Sequence, residues 1–301
     1  MADSARLPGR AECAVAAVAD SFAGDFVDRI VFLGHATVLI EVDGVRLLTD
    51  PLLRDRVAHL RRQVPLLDPA VYADLDAVLI SHLHRDHLDL ASLRLLGLEM
   101  PLLVPAGAGE LLRESGFTDV RELSVGEAAK VGALTVTGVE AHHDGHRRPG
   151  PGGPRAETLG YLVHGRRTVY FAGDTELFDG MSDLRPSPDV ALPTDHARQG
   201  GVATPPDFSP RLDVALLPVA GWGPALGPGH MDPLDAARAA RLIQPRVAIP
   251  MHWGTLLPIG IARRHRARLG DPPRMFAEHV ASLAPSVKVR ILAPGEQTTL
   301  F

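Results

Sequence analysis

The chain has 301 residues, 46% hydrophobic and 22% charged, the balance of a globular protein that can bury a sizeable core. A net charge of −5, from 31 basic and 36 acidic residues, gives no electrostatic footprint for nucleic acid, so no such partner is expected. Cys13 is the only cysteine, which excludes an intrachain disulfide and fits a reducing compartment.

The N-terminal lead, residues 1–28, carries Asp3, Glu12 and Asp20 and has no basic stretch followed by an apolar core, so it does not read as a signal peptide. The longest uncharged stretches, 214–229 and 247–262, are broken by Pro and Gly and do not read as membrane spans. A cytoplasmic location is the expectation; oligomeric state is left open. RIVFLG (29–34) is the first structured signal, followed by ATVLIEV (36–42) and VRLLTD (45–50) around Asp43-Gly44, a hairpin turn pair. Pro51 ends the second strand because it cannot donate to a ladder. AVLIS (77–81) reads as a buried strand, 89–97 as a helix, LLVP (101–104) as a strand and 107–115 as a helix. LTVTGVEA (133–141) is a strand ending at His142-His143, and TLGYLVH (158–164) with TVYFA (168–172) forms a second hairpin. DVALLPV (213–219) and RVAIP (246–250) flank a helix over 232–243, with Asp232 as N-cap and Pro233 as first residue. Residues 273–284 read as helical and VKVRIL (287–292) as a late strand. Residues 145–157 are Pro/Gly-rich and basic, hence a mobile loop, and 183–212 is a long insertion with little periodicity. No linker divides the chain, so a single domain of two packed sheets with helices outside is expected.

The chemistry concentrates in residues 82–87, His-Leu-His-Arg-Asp-His. His82, His84, Asp86 and His87 are ligand types that suit zinc and its neighbours. On an extended loop positions 82 and 84 point the same way and can reach one metal, while Asp86 and His87 lie past the bend and can reach a second. His142-His143, Asp174 and His252 follow other apolar strands, where a packed scaffold ends and a site can begin. Asp174 alone would read as a turn cap and His252 alone as a structural histidine; beside 82–87 they form a pattern that neither explains.

The order His-x-His-x-Asp-His, His, Gly-Asp-Thr, His resembles the metallo-β-lactamase superfamily. FLGHATVLIEVDGVRLLTDPLL (32–53), GHMDP (229–233) and PMHWGT (250–255) resemble the branch that includes N-acyl-phosphatidylethanolamine-hydrolysing phospholipase D and L-ascorbate-6-phosphate lactonase. The resemblance covers about 30–255 and implies a four-layer αββα sandwich (an α/β, or α+β, fold). It also implies two divalent metal ions, Zn²⁺ first, with Mn²⁺ or Fe²⁺ as alternatives. His82, His84 and His143 match the ligands of one metal, Asp86, His87 and His252 those of the other, and Asp174 the carboxylate shared by both. His143 is preferred to His142 because Val139-Glu140-Ala141-x-His143 parallels a Val-Pro-Ala-x-His pattern; Glu140 departs from that Pro. Asp50 resembles a buried carboxylate that orients a ligand, with a strand-end cap as its other reading.

The implied activity is hydrolysis of a phosphodiester or a lactone-type ester in a small-molecule substrate by a metal-bridging hydroxide. Asp86 is a ligand that also takes a proton. His35 and His230 are expected to line the pocket, His230 contacting an oxyanion or protonating a leaving group; each has a plain structural alternative. Arg147, Arg148 and Arg155 either meet an anionic group of the substrate or form a solvated basic loop. His59, His164, His196, His265 and His279 read as structural or solvated, and Trp222 and Trp253 as pocket wall or core. Two other readings stand beside hydrolysis. Iron-dependent oxidoreductases share the fold but place a carboxylate where His84 stands and carry a flavin module. The third is a metal-binding protein with an inactive site.

Overall fold

The structure, a computed structural model, describes residues 27–148, 153–185, 212–222, 226–260 and 269–300. Most of the N-terminal lead with Cys13, residues 186–211 of the long insertion, and His196 and His265 lie outside the described residues.

The chain opens with β1 (Arg29–Gly34), β2 (Thr37–Val42), β3 (Val45–Thr49), β4 (Arg56–Val57), β5 (Leu60–Arg62) and β6 (Ala77–Leu79). Then come α1 (Leu90–Leu96), β7 (Leu102–Pro105), α2 (Gly109–Glu114), β8 (Val120–Leu123), β9 (Ala128–Val131), β10 (Leu134–Glu140), β11 (Leu159–His164) and β12 (Thr168–Phe171). The last part holds β13 (Val214–Pro218), α3 (Pro233–Ile243), β14 (Val247–Met251), β15 (Leu256–Pro258), α4 (Asp271–Leu283), β16 (Lys288–Val289) and β17 (Gln297–Thr299). One sheet has the order β17-β1-β2-β3-β6-β7-β8, the other β16-β14-β13-β12-β11-β10-β9, and β15-β5-β4 form a small third sheet.

Each large sheet is covered on both faces, which is why its strands read as apolar runs rather than as strict alternation. Along β1 and β2, Ile30, Phe32, Val38 and Ile40 point into the core between the sheets with Val136, Tyr161, Val163 and Phe171. Val31, Leu33 and Leu39 point the other way, against Leu93 of α1 and Leu112 of α2. Helices α3 and α4 cover the second sheet through Ala236, Ala240, Phe276 and Val280. The result is the four-layer αββα sandwich. Tyr161 crosses the interior to donate its hydroxyl to the Ile80 carbonyl at 2.7 Å, so the sheets are tied together at the residue from which the histidine loop departs.

Local signals explain the boundaries. Asp43 and Gly44 have φ values of 51° and 76°, the left-handed pair that a tight hairpin requires. Asp232 caps α3 by accepting from the N–H groups of Leu234 and Asp235, both at 2.8 Å. Two expectations change. The strand expected over 287–292 pairs only at Lys288 and Val289, because it lies on the sheet's edge and leaves the ladder there. The stretch 145–157 is anchored at its flanks: Ala156 N–H donates to Gly145 O, Arg147 N–H to Pro154 O, and His146 bridges Arg155; residues 149–152 lie outside the described set. Among the described residues no helix is long and apolar enough to cross a membrane.

Candidate metal centre

The strand ends converge on one edge of the sandwich. Asp50 follows β3, the loop 82–87 follows β6, His143 follows β10, Asp174 follows β12 and His252 follows β14. His35 sits between β1 and β2, and His230 stands just before α3. Three of these residues have left-handed backbones although none is glycine: His35 (φ 59°), Asp50 (φ 34°) and His252 (φ 62°). Such conformations persist only where the surroundings over-determine them, and they gather at functional sites. Arg62 is one cause of the constraint. Its buried guanidinium donates to the carbonyls of Leu33 and Leu52, fixing the turns that present His35 and Asp50.

The hydrogen bonds assign the ring tautomers. His143 Nδ1 donates to Gly229 O at 2.7 Å, and His252 Nδ1 to Ala220 O at 2.7 Å. His87 Nδ1 donates to Asp50 Oδ2 at 2.7 Å. His82 Nδ1 donates to Ser81 Oγ at 2.9 Å, which passes its own proton to Asp50 Oδ2 at 2.6 Å. His82, His143 and His252 therefore turn the lone pair of Nε2 inward, and His87 turns its Nε2 inward beside them. His84 presents Nδ1, which lies 3.0 Å from both His82 Nε2 and His143 Nε2. One proton on His84 can satisfy only one of those two lone pairs. His87 Nε2 lies 3.2 Å from His252 Nε2, so these two ring nitrogens also meet at the centre. Converging lone pairs repel unless a cation lies among them, so the donor set fits metal ions.

The carboxylates complete this picture. Asp174 Oδ2 lies 3.1 Å from His87 Nε2, 3.2 Å from His252 Nε2 and 3.3 Å from His230 Nε2. Its Oδ1 is buried with no hydrogen-bond partner, an expensive state that a bound cation would relieve. Asp86 Oδ2 accepts from His35 Nε2 at 3.0 Å and lies 3.9 Å from His252 Nε2. His82, His84 and His143 form one group able to hold a cation, His35, Asp86, His87 and His252 a second, and His143, Asp174 and His230 a third between them.

Burial holds His82 well below the usual imidazole range, helped by the charge on His87, and lowers His84 to about 4 and His252 to about 3. Neutral imidazole is the ligand form. His87 behaves oppositely: burial would lower it, but Asp174, Asp50 and Asp86 outweigh burial and raise it far above its usual value. Asp86 and Asp174 stay ionised, since the histidines around them overcome the cost of burial. The carboxylates thus demand positive charge at their centre, where a divalent cation would supply it.

The sequence-predicted residues divide clearly. His143 turns inward, whereas His142 turns out to pair with Glu140 at 2.9 Å and stack on Phe178. His230 fixes Nδ1 against Pro228 O at 3.0 Å and aims Nε2 at Asp174. Arg147 meets neither of its expectations: its Nη1 donates to the carbonyls of Leu83 and Leu88, while Arg148 and Arg155 are exposed. Trp253 stacks on Phe32, and Trp222 packs beside His59. Ser81 and Arg62 are the participants that the sequence did not disclose; a serine closing an apolar run and one arginine of an Arg-Arg pair carry no motif. Gly173 (φ 61°) is tightly placed, since an added Cβ would lie 2.5 Å from Ser81 Cβ. Gly173→Ala should cost about 1–3 kcal/mol and reduce any turnover by shifting Asp174; an unchanged melting temperature and rate would show slack at this turn.

A family profile described as a Beta-lactamase superfamily domain matches residues 45–253. A metal-dependent hydrolase of Methanopyrus kandleri is 33% identical over 282 residues, 89% of this chain and 98% of the relative. An N-acyl-phosphatidylethanolamine-hydrolyzing phospholipase D of Caenorhabditis elegans is 27% identical over 262 residues, 80% of this chain and 68% of the relative. A Mycobacterium tuberculosis protein is 32% identical over 239 residues, 75% of this chain, but the match spans only 58% of that relative's length. The solved structure of a metallo hydrolase from Ignicoccus hospitalis superposes with a TM-score of 0.65 at 24% identity, covering 91% of this chain and 99% of the other, which shows a shared fold. By sequence, by the profile over most of its length and by the sandwich itself, the chain belongs to the metallo-β-lactamase superfamily.

Proposed function

We propose that this chain is a dinuclear metal-dependent hydrolase that cleaves a phosphodiester or lactone-type ester in a small molecule. The observation that carries this reading is the convergence of inward-facing ring nitrogens from His82, His84, His143, His87 and His252 around a carboxylate, Asp174, with a buried and unpartnered oxygen. His82, His84 and His143 would hold one ion, Asp86, His87 and His252 the other, and Asp174 both. The nitrogen-rich donor set suits Zn²⁺, with Mn²⁺ or Fe²⁺ as alternatives. Bound ions of this kind act as Lewis acids and bring the pKa of coordinated water from about 15.7 towards 7.

The side chains around them have separable tasks. His35 orients Asp86 through Nε2 and is itself held by its N–H on Thr255 Oγ1 at 2.7 Å. Asp86 is thereby held in one orientation at the centre and could take a proton there. His230 is less buried than the ligands, and its bond to Asp174 raises its pKa against the effect of burial. Its Nε2 would stand beside the site and could deliver a proton to the departing oxygen. Two relatives support the class of reaction: one is named a metal-dependent hydrolase, and the other an N-acyl-phosphatidylethanolamine-hydrolyzing phospholipase D.

Purified protein loaded with Zn²⁺ or Mn²⁺ should cleave bis(p-nitrophenyl) phosphate or a member of a lactone panel. Absence of turnover across both panels in a metal-loaded sample would refute the proposal. His230→Gln should slow substrates with poor leaving groups by roughly 10²–10⁴-fold and barely affect p-nitrophenyl esters, whose leaving group needs no proton. Equal losses on both would remove His230 from the role of acid.

A further inference from the structure

One guanidinium nitrogen holds both ends of the histidine loop. Arg147 Nη1 donates to Leu83 O and to Leu88 O, each at 2.6 Å. Leu83 lies between His82 and His84, and Leu88 directly follows His87. Within the loop the N–H groups of His87 and Leu88 both turn back to one carbonyl, His84 O, at 3.1 and 2.8 Å. The far side of the clamp is better anchored. Arg147 N–H donates to Pro154 O at 2.9 Å, Ala156 N–H to Gly145 O at 3.0 Å, and Glu157 N–H to Ala106 O at 2.9 Å. The same segment begins at His143, whose ring is braced on Gly229 O.

We infer that Arg147 is a positioning residue that sets the spacing between the His82–His87 loop and His143, so that metal affinity depends on a side chain outside the ligand set. This rests on the metal assignment proposed above. Three convergent nitrogens define a cation site only when their separations are fixed, and His84 reaches His143 across two different loops. The Arg147 clamp is the described side-chain link that ties one loop's backbone to the other. Burial and nearby Arg85 lower the guanidinium only to about 10, so it remains charged at neutral pH. Charged donors make the stronger hydrogen bonds to carbonyls.

The test uses metal-free full-length protein titrated with Zn²⁺ against a chromophoric chelator, with the melting temperature of each metal-free form recorded. Arg147→Ala should bind zinc roughly 10–100-fold more weakly, the loss typical when a partner outside the ligand set is removed. Arg147→Lys should regain most of that affinity, because one ammonium nitrogen can make both bonds that Nη1 makes. A merely structural role predicts the reverse pattern: a lower melting temperature with unchanged affinity in the folded fraction, which overturns the inference. Should Arg147→Ala fail to fold, Arg147→Gln retains the stem without the charge and must show the same weakening. Wild-type protein that takes up none of Zn²⁺, Mn²⁺ and Fe²⁺ overturns the hydrolase reading and this inference together. Wild-type protein that binds zinc beside an alanine variant that binds equally overturns this inference alone.

Discussion

On the proposed dinuclear reading, Asp174→Ala should abolish hydrolysis and leave one bound ion per chain or none. The carboxylate is 3% exposed, and its Oδ2 stands within 3.3 Å of ring nitrogens from His87, His252 and His230. Asp174 also groups with His143 and His230, which places it beside both sets of histidines. Removing it takes away a negative charge that two cations would share, and leaves those cations to repel each other across a site of low dielectric. The loss should therefore exceed the roughly 10–100-fold that follows when an outer partner of a ligand is deleted. Asp174→Asn separates charge from shape: the amide keeps one oxygen for a metal but not the charge, so partial metal content with very low turnover is expected. Elemental analysis of protein purified without chelator reads this directly. An alanine variant that retains both ions and full turnover would remove Asp174 from the centre altogether.

The candidate ligand positions stand out in the sequence because the runs before them are apolar strands. AVLIS before His82, TVYFA before Asp174 and RVAIP before His252 are buried on both faces, so the first polar residue beyond each must stand at the rim. The Asp43-Gly44 turn was legible for a local reason, its left-handed pair of residues. What escaped depends on contacts between distant parts of the chain. The small sheet pairs Leu256 with Arg62, and β17 pairs Gln297 with Val31; neither short run has a period that would announce it. Arg62 and Arg147 escaped for a related reason. In sequence, a charged residue in a loop reads as solvated, and only the fold shows that each guanidinium is spent on backbone carbonyls. The left-handed backbones at His35, Asp50 and His252 were also invisible, since non-glycine residues give no local sign of them.

Asp50→Asn should weaken metal binding by roughly 10–100-fold although Asp50 would touch no metal. The carboxylate is fully buried and accepts three hydrogen bonds: Ser81 N–H at 2.7 Å on Oδ1, and Ser81 Oγ–H at 2.6 Å with His87 Nδ1–H at 2.7 Å on Oδ2. Asparagine suits the backbone, since it tolerates a left-handed φ such as the 34° found here. Its amide, however, has one oxygen and one nitrogen where two acceptors are required. With the oxygen towards His87, the amide N–H groups oppose Ser81 N–H, and a buried donor is left unpaired at about 1–3 kcal/mol. With the oxygen towards Ser81 N–H, the amide nitrogen faces His87 Nδ1, which can then only accept. That ring must move its proton to Nε2, and its inward face changes from lone pair to N–H. The Ser81 hydroxyl, no longer able to donate to Oδ2, would turn its hydrogen to His82 Nδ1 and force the same change there. Either arrangement costs stability or ligands, and the second removes a donor from each proposed ion. Zinc titration of the folded variant, with ¹⁵N chemical shifts of the imidazoles to read the tautomers, distinguishes the two. Wild-type affinity together with unchanged tautomers at His82 and His87 would show that Asp50 does not set the direction in which these rings face.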